Sequence, residues 1–137
     1  MTDHVGGCLC GNIRFKLTGD PAMTAVCHCR NCQKTAGSAF SVVALAAAGA
    51  LAIEGQPETY LDTADSGGKV ERCFCPKCGS PIISKTEGLT KQGMVAIKAA
   101  SFDDVSWLQP TVQVYCDSEQ PWISNLANLP RVAKTPG

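Results

Sequence analysis

Nine cysteines punctuate a chain of 137 residues, and seven of them fall into three short runs: Cys8 and Cys10 in "CLCG", Cys27, Cys29 and Cys32 in "CHCRNC", and Cys75 and Cys78 in "CPKCG". An odd number cannot all pair as intrachain disulfides. In a reducing compartment, closely spaced thiols are metal ligands or redox centres more often than crosslinks. A C-P-x-C-G element is a zinc knuckle: its tight turn aims both sulfurs at one ion, and Gly79 can take the positive φ that a side chain resists. The knuckle holds only two ligands, so a second pair must come to it. "CLCG" also puts a glycine directly after its second cysteine. Cys8, Cys10, Cys75 and Cys78 are therefore expected to close one four-cysteine site that staples the N-terminal strands to the knuckle, with structural zinc contributing about 10–16 kcal/mol of folding free energy.

The remaining run has a different form. The C-x-C-x-x-C spacing of Cys27, Cys29 and Cys32 can set three sulfurs around one ion at roughly 2.3 Å each, but no proline precedes and no glycine follows Cys32. Cys73 and Cys116 are left over and either could supply a fourth ligand. The expectation is that the fourth position stays open for a water or a substrate, which is the arrangement of a catalytic rather than a structural zinc. His28, between two of these cysteines, could relay a proton near neutral pH or be an ordinary hydrogen-bonded histidine.

Composition narrows the setting. Twelve basic residues balance twelve acidic ones, and no Lys/Arg run tracks phosphates, so nucleic acid is not an expected partner. The N-terminal "MTDHVGGCLCG" lacks the charged start and apolar core of a signal peptide, and "FSVVALAAAGALAI" is too short to span a bilayer. A soluble, cytoplasmic protein that meets no membrane is expected, folded as a single zinc-binding domain over 1–137.

Turn signals at Gly6–Gly7, Gly19–Pro21, Gly55–Pro57, Ser66–Gly68 and Cys78–Pro81 separate segments suited to pleated surfaces: "IRFKL", "SVVAL", "ETYL", "VERCF", "PIIS", "MVAIKA" and "TVQVY". The chain therefore reads as mainly β. "IRFKL" and "TVQVY" alternate as half-buried strands do. Alanine in "VVALAAAGALAIEG" favours helix, whereas Gly49 and the β-branched Val42, Val43 and Ile53 favour two strands joined by a turn.

The blocks "GGCLCGNIRF", "CHCRNCQKTAGSAFS", "FCPKCGSPI" and the late Pro121–Trp122 pair occur in the order and spacing of the glutathione-dependent formaldehyde-activating enzyme family, also called the CENP-V/GFA domain family. The chain resembles that family from Gly6 to about Val132. The resemblance implies a Mss4-like fold of small antiparallel sheets stapled by zinc, with a structural zinc on Cys8, Cys10, Cys75 and Cys78 and a catalytic zinc on Cys27, Cys29 and Cys32. It also implies a carbon–sulfur lyase that adds a thiol, glutathione, to formaldehyde or another small aldehyde. Many members carry a histidine where this chain has Gln113.

Thiol ionisation alone would not explain such catalysis. A free thiol with pKa about 8.5 gains roughly 30-fold on full ionisation near pH 7, but the lower nucleophilicity of a less basic thiolate returns roughly 13-fold of that. Holding thiolate and aldehyde together must supply the rest. Glutathione carries two carboxylates and an amine, so basic side chains are expected near its pocket, with Arg30, Lys34 and Arg72 as candidates by proximity to the cysteine runs. Phe40, Trp107 and Trp122 read as core or pocket-wall residues. Two other functions fit the same residues: a zinc-stapled binding module without turnover, and a redox sensor in which "CHCRNC" oxidises and sheds its metal.

Overall fold

The computed structural model describes residues 2–135. The strands β1 (His4–Gly7), β2 (Arg14–Leu17) and β5 (Leu51–Glu54) form an antiparallel three-stranded sheet in the order β1-β2-β5. A second sheet holds β3 (Met23–Cys27), β4 (Ser41–Ala47), β6 (Glu58–Thr63), β7 (Lys69–Phe74), β8 (Pro81–Thr86), β9 (Met94–Lys98) and β10 (Val112–Val114). Its seven strands run in the order β10-β3-β4-β9-β8-β7-β6, all antiparallel except β10, which lies parallel to β3. Two short helices, α1 (Arg30–Ala36) and α2 (Glu87–Lys91), complete the regular structure together with several 3-10 turns. The mainly β expectation holds.

The alternation in "IRFKL" sets the core. Ile13, Phe15 and Leu17 are all but inaccessible, while Arg14 and Lys16 face outward. They pack against Ala44, Ala46, Ile83, Val95 and Ile97 of the larger sheet, with Phe102 closing one end. Phe15 and Phe102 meet edge to face, their centroids 5.3 Å apart. Burying side chains of this size contributes about 1.5–3 kcal/mol each.

The alanine-rich segment forms two strands, as the β-branched residues favoured, joined by the 3-10 turn Ala48–Ala50. They do not form a hairpin, because β4 pairs within the large sheet and β5 pairs with β2. Small residues suit a segment that crosses between sheets packed face to face. "TVQVY" differs from its expected half-buried pattern. Its strand β10 is outermost, with a neighbour on one side only, and Val112 and Val114 stay 38 % and 37 % exposed.

Gly6 lies at the crossing of the two layers. It pairs with Phe15 in the sheet and bridges to Phe102. A β-carbon there would collide with the Ser101 carbonyl oxygen and sit 2.7 Å from Phe15 Cζ and 2.8 Å from Phe102 Cα. The collision is partly with backbone, which cannot swing aside as a flexible side chain does. Gly6→Ala is therefore expected to lose about 1–3 kcal/mol, the cost of overpacking a tight site, measurable as a lowered denaturant midpoint with an unchanged slope.

Candidate metal centres

Two turns carry the first cysteine set. After β1 the chain folds back so that Cys8 N–H donates to the Ile13 carbonyl at 3.0 Å and Gly11 N–H to the Cys8 carbonyl at 3.2 Å. After β7 a similar pair recurs, with a turn one residue longer before its glycine: Cys75 N–H donates to Ser80 O at 2.9 Å and Gly79 N–H to Cys75 O at 2.8 Å. Gly11 and Gly79 take φ of 82° and 77°, the left-handed region open to glycine at little cost. The two turns thus present their cysteines in matching fashion, and Cys8, Cys10, Cys75 and Cys78 converge with all four sulfurs within 4.8 Å of one another.

Zinc–sulfur bonds of about 2.3 Å in a tetrahedron imply sulfur–sulfur edges of about 3.8 Å. Cys8 and Cys10 Sγ are 3.6 Å apart, and Cys10 and Cys75 Sγ 3.8 Å. The N–H groups of Ile13 and Lys77 donate to the sulfurs of Cys8 and Cys75 at 3.2 and 3.4 Å. Such donors stabilise thiolate rather than thiol. The Ser80 hydroxyl and backbone N–H lower the Cys78 thiol to about 5. The donor set fits a tetrahedral, thiophilic ion.

The second set is built at the start of α1. Cys27 ends β3, Cys29 is the N-cap of the helix and accepts the Cys32 N–H at 3.2 Å, and Cys32 lies one turn in. Gly37, left-handed at φ 62°, ends the helix. The sulfurs of Cys27, Cys29 and Cys32 lie within 4.8 Å of one another, and no fourth cysteine, histidine, aspartate or glutamate among the described residues joins them at that spacing. Cys73 is buried on β7 and Cys116 is exposed in the 3-10 turn after β10; neither belongs to the set. Hydrogen bonding from Cys27 lowers the Cys32 thiol to about 5; burial opposes the shift, while Cys29, Lys98 and Arg72 favour it. Hydrogen bonding to Cys32, reinforced by burial, pushes the Cys27 thiol the other way.

The surroundings of this set agree only in part with the expectation. Arg72, a candidate by sequence proximity, is buried and pairs through Nε with Asp62 Oδ2 at 2.8 Å. Asn31 of α1 donates to the same oxygen at 3.0 Å, tying the helix to β6. Lys98, which sequence reasoning missed, is buried at the end of β9 and donates to Ser41 Oγ at 3.1 Å. A lysine closing the apolar run "MVAIK" was the available signal. Burial lowers its ammonium pKa, and the charge of Cys32 opposes that shift. Arg30 bonds to Gln33, and Lys34 is exposed, so neither stands with Arg72 and Lys98 beside the cluster.

His28 is buried, donating from Nε2 to Gln113 Oε1 at 2.8 Å, while its Nδ1 has no partner among the described residues. Phe40 meets this imidazole edge-on, at 5.8 Å between centroids. Gln33 ties the loop to the segment after β10: its amide donates to the carbonyls of His28 and Ser118 at 2.7 and 3.0 Å and accepts from Gln120 at 2.8 Å. Trp122 donates to Gln120 at 2.6 Å and is 48 % exposed, so it buttresses this network and is not a core residue. Trp107 stacks on His4 and packs against the core beside Phe102.

A groove of about 560 Å³ connects the surroundings of the two sets, lined by Cys8 and Ser80 on one hand and Phe40, Ser41 and Lys98 on the other. A separate concavity of about 640 Å³ touches no cysteine and is lined by Asp3, Asp20, Asp103 and Asp104, which repel anions.

Residues 3–118 match the profile of the glutathione-dependent formaldehyde-activating enzyme family. The chain belongs to that family. The Pro121–Trp122 block lies beyond the matched range. Relatives provisionally named as glutathione-dependent formaldehyde-activating enzymes include one from Aspergillus flavus, 26 % identical over 75 % of this chain and 55 % of its own length. Another, from Podospora anserina, is 25 % identical over 81 % of this chain and 53 % of its own. The chain spans about half the length of these curated relatives. A Rhodobacter sphaeroides protein of known crystal structure shares the fold, with a TM-score of 0.58 and 18 % identity over 80 % of this chain and 98 % of that one.

If the four converging sulfurs hold a structural ion, Cys75→Ala is expected to lower the thermal midpoint sharply and to abolish the further loss on adding a chelator, whereas Cys29→Ser leaves the midpoint near the parent's. Equal destabilisation by both would make the second set structural too. Asp62→Asn leaves Arg72 buried without its carboxylate and should lose about 2 kcal/mol, less than the 3–5 of a fully enclosed pair because Asp62 keeps some water contact. The Arg72 guanidinium holds the Asp62 carboxyl below its ordinary value. The pair's contribution is therefore complete above the unfolded carboxyl's pKa of about 3.9 and fades as the pH falls through the lower folded value. Urea titrations at pH 7 and in acid should show the difference between variant and parent shrinking in acid.

Proposed function

We propose that this protein is a zinc-dependent carbon–sulfur lyase of the formaldehyde-activating type, adding a thiol, glutathione, to formaldehyde or another small aldehyde. In this reading Cys8, Cys10, Cys75 and Cys78 hold a structural zinc, and Cys27, Cys29 and Cys32 hold a catalytic one within a single domain over 1–137. The observation that carries it is the incomplete second set: three sulfurs converge, no fourth cysteine, histidine, aspartate or glutamate among the described residues joins them, and two buried cations stand beside them. A staple needs four ligands; three leave a place for a substrate sulfur. A cytoplasmic location accompanies this reading, since free thiols persist in a reducing compartment.

Zinc bound at the three sulfurs would hold an incoming thiol as thiolate. The chain's own residues do the rest. Lys98 and Arg72 offset the negative charge that gathers as a further thiolate arrives. The groove beside Phe40, Ser41 and Lys98 holds the thiol's body, so that thiolate and aldehyde meet as if at high concentration. The adduct oxygen, negative at the moment the carbon–sulfur bond forms, needs a proton; the Lys98 ammonium, with one of its three donors on Ser41, is the cation with protons to spare.

Metal analysis with and without glutathione tests the reading. Two zinc ions per chain are expected, with one exchanging faster when glutathione is present, together with exchange between free formaldehyde and its glutathione adduct, followed by NMR with labelled formaldehyde, that exceeds the uncatalysed rate. One zinc per chain and no acceleration would leave a stapled binding module.

A further inference from the structure

The register of the large sheet places a row of polar side chains on one face. Arg72 lies directly across from Ser84, Ser84 from Ala96, and Lys98 follows Ala96 by two residues on β9, hence on the same face. Lys98 stands opposite Val43, two residues from Ser41, which in turn faces Cys27. The row therefore leads from the Asp62–Arg72 pair to the second cysteine set. A cavity of about 170 Å³ opens on Arg72, Ser84 and Lys98, lined also by Thr35 and Tyr60. None of Cys27, Cys29 and Cys32 lines it.

Two features of this cavity call for a ligand. Ser84 is buried, 6 % exposed, and its hydroxyl has no hydrogen-bond partner among the described residues. A buried polar atom left unpaired is unfavourable and uncommon in folded proteins. Arg72 and Lys98, each 9 % exposed, bring two positive charges against the single carboxylate of Asp62. Balancing thiolates would account for the charges but not for an unpaired buried hydroxyl on a residue that lines the same cavity.

We propose that the cavity bounded by Arg72, Ser84 and Lys98 is a subsite for a substrate carboxylate. A carboxylate accepts from a guanidinium, an ammonium and a hydroxyl at once, which matches the three side chains that bound this cavity. The cavity shares Lys98 and Pro81 with the larger groove, so a substrate lying in the groove can place one end here. The inference rests on the thiol-addition reading only for where that carboxylate comes from: the thiol itself, or an aldehyde that is also an acid.

Calorimetric titration of the zinc-loaded protein tests it with two matched pairs of probes. 3-Mercaptopropionate against 3-mercaptopropanol asks whether the thiol brings the carboxylate, and glyoxylate against glycolaldehyde asks whether the aldehyde does. In one pair the acid is expected to bind at least tenfold more tightly than its neutral counterpart. Ser84→Ala should erase about tenfold of that preference, the worth of a hydrogen bond to a charged group, leaving the neutral probe's affinity and the thermal midpoint unchanged. Equal binding of acid and neutral probes in both pairs overturns the subsite, as does a preference that survives both Ser84→Ala and Lys98→Met. Loss of zinc from Lys98→Met with no carboxylate preference in the parent also overturns it, since the cations would then serve the thiolates alone. A carboxylate preference that depends on Ser84, found in a protein that accelerates no thiol addition, upholds the subsite and removes the proposed reaction instead.

Discussion

The convergence of four sulfurs from two turns is the constraint on which the remaining structure depends. β1 and β2 are four residues each, too short to be stable as an isolated ribbon. Their position is fixed by Phe15 and Leu17 on one side and by the approach of Cys8 and Cys10 to Cys75 and Cys78 on the other. That approach pins the β7–β8 connection against the N-terminal turn, with Leu9 N–H donating to Ser80 Oγ at 3.1 Å. The groove between the cysteine sets exists because those turns are held there.

The two faces of the large sheet divide the work. One supplies Ala44, Ala46, Ile83, Val95 and Ile97 to the core. The other presents Arg72, Ser84, Lys98 and Ser41 toward α1 and its cysteines. Because side chains alternate with period two, a register shift of one residue in β8 or β9 would exchange these sets and bury charges in the core. Stability and chemistry are therefore specified by the same pairing.

Much of this was legible in the sequence, for reasons that differ by residue. The grouping of Cys8, Cys10, Cys75 and Cys78 followed from ligand spacing and turn glycines, which are local properties. Strands such as β2 announced themselves through alternation. Lys98 and Ser84 were hidden because their roles come from register: nothing near "PIIS" or "MVAIK" says that Ser84 will lie opposite Arg72. The exposure of β10 was hidden too, since a strand's pattern does not reveal whether it will be outermost. Gln113 reads as a surface residue in "TVQVY", yet its amide oxygen is the partner of buried His28. Edge position and cross-strand partners are decided by the whole chain, and so fall outside what spacing encodes.

The separation of the two halves of the first set has a consequence for synthesis. Cys10 and Cys75 stand 65 residues apart, and a ribosome adding about 5–20 residues each second makes Cys75 only about 3–13 s after Cys10. For that interval Cys8 and Cys10 are half of a site, exposed to oxidation and to each other. Under the proposed zinc staple, such a nascent chain needs its thiols protected before it can use a metal, and its vulnerable moment comes during translation, well before there is a fold to defend.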